Sequence, residues 1–271
     1  MLLNKVSDEL DIIVIAGQSN AEGYGIGPTV APYRPSSDIL IMRDTDNQGY
    51  VVDEKTVTDF AISMPRDYLI NIAEERCSTS GKIGSFALYF AEKYRSEFLS
   101  FGRRVLVIQS AVGATGFAKG HWGLDGVLYR RLVEMVTLAL GMNPKNRVVA
   151  LLWHQGEHDA VFRPELSDSE REELHLNNLS SLLLDFRGRF GSLPFIGGGF
   201  VEDWAKGFER SAAIESATKK LALDHPLVGF ASSEGLPSNN QTLGNKDAIH
   251  FSRDSLRLLG ERYFEIYKFI K

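Results

Sequence analysis

The chain of 271 residues is 44% hydrophobic and 24% charged, a mixture that is typical of a globular protein and excludes a largely disordered one. Its 30 basic and 35 acidic residues give a formal charge of −5 without a basic stripe, so we expect no nucleic-acid partner. Charges interrupt the N-terminus before a signal-type apolar segment forms, and no run approaches the roughly 20 apolar residues that span a bilayer. We therefore expect a cytoplasmic protein without a membrane partner. The single cysteine, Cys77, excludes a disulfide within the chain.

Six short apolar runs predict the strands of a buried sheet. They lie at residues 12–16, 39–42, 104–110, 148–154, 194–199 and 227–232. Most of them are continuous rather than alternating, which is the pattern of parallel strands covered on both faces. Apart from the run at 39–42, the stretch 22–75 fits this pattern poorly, and we expect extended loops with one or two strands there.

Apolar residues at helical spacing lie between these runs and predict four helices. The stripes cover residues 87–98 behind an N-cap at Ser85, 128–139, 176–190 behind a capping-box pattern from Ser169 to Glu172, and 256–270 behind Ser252. Strands that alternate with helices of this length favour right-handed βαβ units and a parallel sheet. Because no repeat or long linker interrupts the pattern, the sequence predicts a single domain over residues 1–271.

The turn after the first predicted strand carries a candidate nucleophile, Ser19. Ligands of open α/β sheets bind outside the carboxyl ends of the strands, and Gly-Gln-Ser-Asn at 17–20 follows this strand directly. A serine at such a turn acts as a nucleophile when a base is near, although it can equally cap a helix. The run lacks the second glycine of the Gly-x-Ser-x-Gly elbow, and it matches neither a phosphate loop nor a dinucleotide fingerprint.

Two further loops offer hydrogen-bond donors for an oxyanion. Ala-Val-Gly-Ala-Thr-Gly at 111–116 follows the third predicted strand, and a glycine amide there can point at a developing negative charge. Gln155 directly follows the fourth predicted strand, and we expect its side chain to donate a hydrogen bond into the site. Both loops should lie on the same edge of the sheet as Ser19.

The loop after the fourth strand also resembles a zinc motif. His154, Glu157 and His158 match the pattern His-x-x-Glu-His, which needs both histidines on one helix. Here His154 ends a predicted strand and Gly156 interrupts the helical turn. We therefore expect no metal at this loop.

A candidate base lies near the C-terminus. Asp247 and His250 are three residues apart, so one turn can bring them together and the carboxylate can fix the imidazole tautomer. An isolated Asp-x-x-His is also compatible with a polar loop that leads to the helix cap at Ser252. Together with Ser19 and the two donor loops, however, the pair completes the groups that acyl transfer needs.

Four motifs in this order resemble the SGNH hydrolase superfamily. They are Gly-Gln-Ser-Asn at 17–20, Ala-Val-Gly-Ala-Thr at 111–115, Trp-His-Gln-Gly-Glu-x-Asp at 153–159 and Asp-x-x-His at 247–250. They are similar to the branch of carbohydrate acetylesterases, which holds sialate O-acetylesterase-like domains and the acetylxylan esterases of carbohydrate esterase family 6. Gly-Val-Leu-Tyr at 126–129 also resembles that branch, and the resemblance covers nearly the whole chain.

The resemblance implies a three-layer α/β/α fold with a central parallel sheet of about five strands, flavodoxin-like in order. It implies Ser19 as the nucleophile, His250 as its base and Asp247 as the partner of His250. The oxyanion hole would consist of the backbone amides of Ser19 and Gly113 and the side chain of Gln155. It implies neither a metal nor an organic cofactor.

Other residues of these motifs are candidates for substrate binding or for support of the site. They are Gln18, Asn20, Thr115, His154 and Glu157. Glu157 also competes with Asp247 as the acid that supports His250, and we rank Asp247 first because its spacing fixes it near the histidine. His158 stands where the branch commonly has serine or alanine, and Ala114 stands where a second glycine is common. These departures bear on substrate fit more than on chemistry.

The activity implied by the resemblance is removal of O-acetyl groups from a small carbohydrate through an acetyl-serine intermediate. Two alternatives stay open. One is a lipase, thioesterase or arylesterase of the same superfamily. The sequence shows no long apolar lid segment, which disfavours this alternative. The other is a carbohydrate-binding protein without catalytic activity. The sequence contains all the catalytic residue types, which disfavours this alternative.

Overall fold

The computed structural model describes residues 8–44, 68–79 and 81–271. The strands in these ranges are β1 (Glu9–Gly17), β2 (Ile39–Asp44), β3 (Tyr68–Ile72), β4 (Arg76–Ser78), β5 (Gly81–Ile83), β6 (Arg103–Ala111), β7 (Arg147–His154), β8 (Phe195–Gly198) and β9 (Val228–Ala231). The helices are α1 (Ser19–Glu22), α2 (Phe86–Glu97), α3 (Val127–Gly141), α4 (Glu157–Val161), α5 (Asp168–Phe190), α6 (Glu202–Ala205), α7 (Ser211–Asp224), α8 (Asn239–Leu243) and α9 (Arg253–Ile270).

One sheet of the described residues has seven strands in the order β3-β2-β6-β1-β7-β8-β9. All neighbours from β2 to β9 are parallel, and β3 pairs antiparallel with β2 at the edge. The six predicted runs form the parallel strands, so the predicted α/β fold with a parallel sheet is confirmed. The sheet has seven strands instead of the predicted number of about five. The predicted flavodoxin-like order is also wrong, because β6 lies between β1 and β2. Apolar periodicity identifies such strands but not their neighbours, since strands buried on both faces look alike.

Helices cover both faces of the sheet and make the fold three-layered. Along β1, Ile13 and Ile15 belong to the core formed with α2 and α9, whereas Ile12 and Val14 belong to the core formed with α3 and α5. All four side chains are fully buried, and each such burial contributes roughly 1.5–3 kcal/mol. The run is continuous in the sequence because successive side chains enter different cores.

The four predicted helices are present as α2, α3, α5 and α9. Ser85 and Ser252 occupy the N-cap positions of α2 and α9, as predicted. The capping box of α5 lies two residues earlier than predicted, at Ser167 and Glu170. The Ser-x-x-Glu pattern occurs twice in a row there, and the pattern alone cannot select the first copy. The sequence analysis did not predict α7, whose apolar stripe is short and rich in alanine.

The described parts of the stretch 22–75 contain β2 and β3 between extended segments, as predicted. Residues 1–7, 45–67 and 80 lie outside the described residues, and so do the charged N-terminus and the middle of the stretch 22–75 for which predictions were made. Cys77 is exposed on β4. Among the described helices, none has both the length and the apolar character needed to cross a membrane.

Candidate active site

The carboxyl ends of the three central strands bring the candidate loops together. Gly17 at the end of β1 pairs with Ala111 of β6 on one side and with His154 of β7 on the other. The position requires glycine, because its φ is 133° and an added Cβ would collide with the carbonyl group of His154. The loops that follow β1, β6 and β7 therefore begin side by side, as the sequence predicts.

A cavity of about 300 Å³ opens at this edge of the sheet. Its polar lining residues are Gln18, Ser19, Glu157, His158 and His250. Apolar side chains form another part of its wall: Ala114, Val161, Phe162 and Ile249. The candidate nucleophile and the candidate base thus face the same space.

Ser19 is the first residue of α1 and is 6% exposed. The N-cap position belongs to Gln18, whose backbone is extended, and no side-chain hydrogen bond caps this helix. The alternative that Ser19 merely caps a helix is therefore wrong. Among the described residues no hydrogen bond joins the side chains of Ser19 and His250, and such contacts are often long in ligand-free sites.

The imidazole of His250 contacts Asp247 and not Glu157. Its Nδ1 lies 2.9 Å from Oδ1 and 3.0 Å from Oδ2 of Asp247. Asp247 Oδ2 also accepts a hydrogen bond of 2.9 Å from Asn239 Nδ2. Burial raises the pKa of Asp247, but the hydrogen bonds from His250 and Asn239 outweigh it and hold this pKa below its ordinary value. When Nδ1–H donates to this carboxylate, the lone pair of the neutral imidazole resides on Nε2, as a general base requires.

Asn20 connects the nucleophile helix to the segment that carries His250. Its Nδ2 donates to the carbonyl oxygen of Ile249 at 3.1 Å, and its Oδ1 accepts from the amide of Phe251 at 3.2 Å. These two residues flank His250, so the side chain of Asn20, next to Ser19, holds the backbone on both sides of the candidate base. The sequence analysis marked Asn20 only as a candidate for binding or support, and the structure places it in support.

Two residues that sequence reasoning missed complete the surroundings of His250. The ring of Tyr24 stacks on the imidazole with centroids 5.0 Å apart. Asn239, beside Asp247, also donates to the carbonyl oxygen of Tyr24 at 3.0 Å and accepts from the amide of Ile26. Neither residue belongs to a recognisable motif, because each acts on a partner that only the fold brings near.

The predicted oxyanion donor Gly113 is engaged within the protein. Its amide donates a hydrogen bond of 2.9 Å to Glu22 Oε2, and Arg76 Nη1 pairs with Glu22 Oε1 at 2.9 Å. Glu22 lies one turn after Ser19 on α1 and is buried. An oxyanion that uses the Gly113 amide has to displace this carboxylate, a contact that the sequence analysis did not foresee.

The second predicted donor, Gln155, is buried and is absent from the described residues that line the cavity. Its Nε2 donates to the carbonyl oxygen of Thr115 at 3.2 Å and to Asp159 Oδ2 at 3.1 Å, with Gln18 Oε1 at 3.4 Å. Both N–H groups therefore have acceptors inside the protein. The oxyanion role of Gln155 stays a prediction.

We expect Gln155→Ala to lower kcat by about 100-fold or more with little change in KM, because an oxyanion donor acts mainly in the transition state. It should also lower the Tm, since Thr115 and the buried Asp159 each lose a hydrogen-bond donor. Steady-state kinetics on nitrophenyl acetate and thermal unfolding measure the two effects. A change confined to KM would instead assign Gln155 to substrate binding.

The remaining candidates support the loops. Gln18 Oε1 accepts from the amide of His158 at 3.1 Å, at the start of α4. Thr115 is fully buried, donates to the carbonyl oxygen of Val112 at 2.7 Å and accepts from Trp122 Nε1. Both side chains therefore stabilise the walls of the cavity.

The two histidines of the zinc-like pattern take different positions. His154 ends β7 and is fully buried, with Nδ1 3.1 Å from the hydroxyl of Tyr263. His158 lies in α4 and stacks on Phe162 with ring centroids 4.1 Å apart. In the described part of the chain, no group of three or more His, Cys, Asp or Glu side chains is arranged to hold a metal ion.

Comparison with known proteins identifies the family of the chain. A family model described as carbohydrate esterase, sialic acid-specific acetylesterase, matches residues 9–268. A curated relative, the probable 9-O-acetyl-N-acetylneuraminic acid deacetylase of Escherichia coli (strain K12), is 25% identical over 195 residues. That match covers 62% of this chain and 58% of the length of the relative.

Two solved structures share the fold over almost their whole length. NanS superposes with a TM-score of 0.71 at 19% identity, covering 97% of this chain and 98% of that one. A protein from Arabidopsis thaliana superposes with a TM-score of 0.67 at 18% identity, covering 96% and 98%. Since the family model spans nearly all of the residues, the chain belongs to the carbohydrate esterase family of sialic acid-specific acetylesterases.

Proposed function

We propose that this protein is a serine esterase that removes O-acetyl groups from a sialic acid or a related small carbohydrate. The observation that carries the proposal is the contact of His250 Nδ1 with Asp247 at 2.9 Å, beside a cavity that His250 shares with Ser19. The proposed nucleophile and the proposed base thus line one cavity, and the proposed acid contacts the base. We also propose that residues 1–271 form one catalytic domain, because both helical layers cover a single sheet.

The mechanism follows from the proposed roles. His250 Nε2 removes the proton of Ser19, whose oxygen attacks the acetyl carbonyl and forms a tetrahedral intermediate. Asp247 stabilises the imidazolium that results. His250 then gives this proton to the sugar oxygen as its bond to the acetyl carbon breaks, so that the sugar leaves as an alcohol, and water hydrolyses the acetyl-serine by the same route.

The oxyanion of the intermediate is proposed to bind the amides of Ser19 and Gly113 and the side chain of Gln155. Removal of one such donor costs roughly 3 kcal/mol of transition-state stabilisation. The Gly113 amide becomes available when Glu22 releases it, and the ion pair with Arg76 still holds the Glu22 carboxylate.

The size and lining of the cavity support a small acyl group on a polar alcohol. A volume of about 300 Å³ lies at the lower end of ordinary small-molecule pockets. Ala114, Val161 and Ile249 supply apolar surface for an acetyl methyl group. Family membership and the deacetylase named above favour a sialic acid as the alcohol.

A deacetylation screen tests the proposal. We expect the wild-type enzyme to release acetate from O-acetylated sialic acids faster than from acetylated xylo-oligosaccharides or simple acetyl sugars. It should also prefer nitrophenyl acetate to nitrophenyl octanoate, because the cavity is small. Ser19→Ala is the matched control for spontaneous hydrolysis. Faster turnover of xylo-oligosaccharides would make it an acetylxylan esterase, and faster octanoate cleavage would favour a lipase-like or arylesterase-like function.

A further inference from the structure

Glu157 is a buried carboxyl group that the proposed mechanism does not use. It begins α4, is 1% exposed, and is among the residues that line the cavity. Its Oε1 accepts a hydrogen bond of 2.8 Å from Asn20 Nδ2. Its Oε2 is buried and has no hydrogen-bond partner among the described residues. A buried carboxylate oxygen without a donor is costly, so its protonation state needs a physical explanation.

The orientation of Asn20 is fixed by the backbone and not by Glu157. Its Oδ1 faces the amide of Phe251, and its Nδ2 faces the carbonyl oxygen of Ile249. A reversed amide would lose both contacts. Glu157 Oε1 therefore always meets an N–H donor, and a proton on this carboxyl group belongs on Oε2.

The side chain of His154 also faces Glu157, and the atom that it presents is a hydrogen-bond acceptor. The hydroxyl of Tyr263 donates to the carbonyl oxygen of Trp153 at 2.8 Å, so His154 Nδ1 must donate to that hydroxyl at 3.1 Å. Burial lowers the pKa of His154 to about 3, so the ring is neutral at ordinary pH and Nε2 carries a lone pair. This Nε2 lies 3.8 Å from Glu157 Oε1 and has no hydrogen-bond partner in the described part of the chain.

Few charges compensate an ionised Glu157. Burial raises its pKa and outweighs the lowering by hydrogen bonds from Asn20 and its own amide. The other titratable groups that face it are His250, whose charge lowers the pKa, Asp159, whose charge raises it, and the neutral Tyr263. A proton on Oε2 therefore removes the desolvation cost of a buried charge.

We propose that Glu157 carries a proton in the working enzyme and acts as a neutral positioning residue, not as the acid of the triad. It holds Asn20, which in turn holds the backbone on both sides of His250. The inference rests on the proposed function, since it presumes that His250 is the base. It separates the two carboxyl groups by charge: Asp247 is ionised and Glu157 is not.

The neutral isostere Glu157→Gln is the decisive variant. A glutamine can accept the Asn20 hydrogen bond and place an amide group where the protonated oxygen was. We expect kcat on nitrophenyl acetate within about tenfold of wild type, because no net charge and no hydrogen bond is lost. Glu157→Ala should lose more activity than Glu157→Gln. A loss of roughly 10⁴-fold in Glu157→Gln, the size expected for a triad acid, would overturn the proposal.

Thermal stability supplies a readout that does not depend on turnover. A folded-state pKa above the unfolded value of about 4.3 means that wild type loses stability relative to Glu157→Gln as the pH rises above this value. The Tm difference between the variant and wild type should therefore grow with pH in favour of the variant. Asp247→Asn is the matched control with the opposite sign, because the pKa of Asp247 is lowered on folding. A Tm difference that moves with pH in the same direction for both variants would contradict the proposal.

The infrared band of a protonated carboxyl group is the direct measurement. Wild type at neutral pH should show this band, and Glu157→Gln should lack it. If wild type shows no such band, Glu157 is ionised and the inference is wrong. Neither this result nor the Tm series involves a sugar substrate, so either can fail while the sugar screen still supports the proposed function.

Discussion

Ser19→Ala should abolish turnover of every acetyl ester, with a loss of roughly 10⁶-fold in kcat. The alanine leaves no oxygen to attack the acetyl carbonyl, although the cavity and the Asp247–His250 pair stay in place. The measurement is hydrolysis of nitrophenyl acetate, combined with labelling by a fluorophosphonate probe. Wild type should be labelled on Ser19, and the variant should not be labelled.

The fold should tolerate this substitution. Ser19 caps no helix, so the Tm of the variant should lie close to that of wild type. Ser100→Ala is the matched control, because Ser100 is exposed and precedes β6 at the amino ends of the strands, away from the candidate site. Normal turnover by a well-folded Ser19→Ala protein would remove Ser19 from the mechanism.

Asp247→Asn should lower kcat on nitrophenyl acetate by about 10⁴-fold, the next largest effect that we expect. The carboxylate now accepts from His250 Nδ1, whereas an asparagine amide can turn its N–H group toward the ring and favour the wrong tautomer. The charge that stabilises the imidazolium is lost as well. Steady-state kinetics across a pH series measure the effect.

The stability of the protein at acidic pH depends on the same carboxyl group. The pKa of Asp247 is lowered in the folded protein, so its stabilising charge persists above the unfolded pKa and is lost as the pH falls through the folded value. Asp224→Asn is a suitable control, because Asp224 is exposed at the end of α7. If Glu157→Gln abolishes small-ester turnover while Asp247→Asn is mild, the two acids exchange roles.

The sequence predicted the strands and the main helices because burial leaves a local pattern. The run at 12–16 is apolar at every position, and the stripe at 87–98 recurs at helical spacing. The order of the strands was not predictable in this way. That β6 separates β1 from β2 depends on contacts between segments that are far apart along the chain.

The sequence by itself determined the residue types of the candidate site and favoured the pairing of Asp247 with His250. Two intervening residues keep these side chains within reach of each other whatever the loops do. It also placed Ser19 at the end of a buried strand, because a glycine turn after an apolar run marks such an end.

Only the tertiary structure decided how the distant groups meet. In the structure Glu157 accepts a hydrogen bond from Asn20, the Gly113 amide donates to Glu22, and the ring of Tyr24 stacks on His250. The physical reason is that hydrogen bonds and ring contacts act over a few ångströms and carry no trace in sequence spacing. Their partners lie on different strands and loops, and the fold alone sets the distances between them.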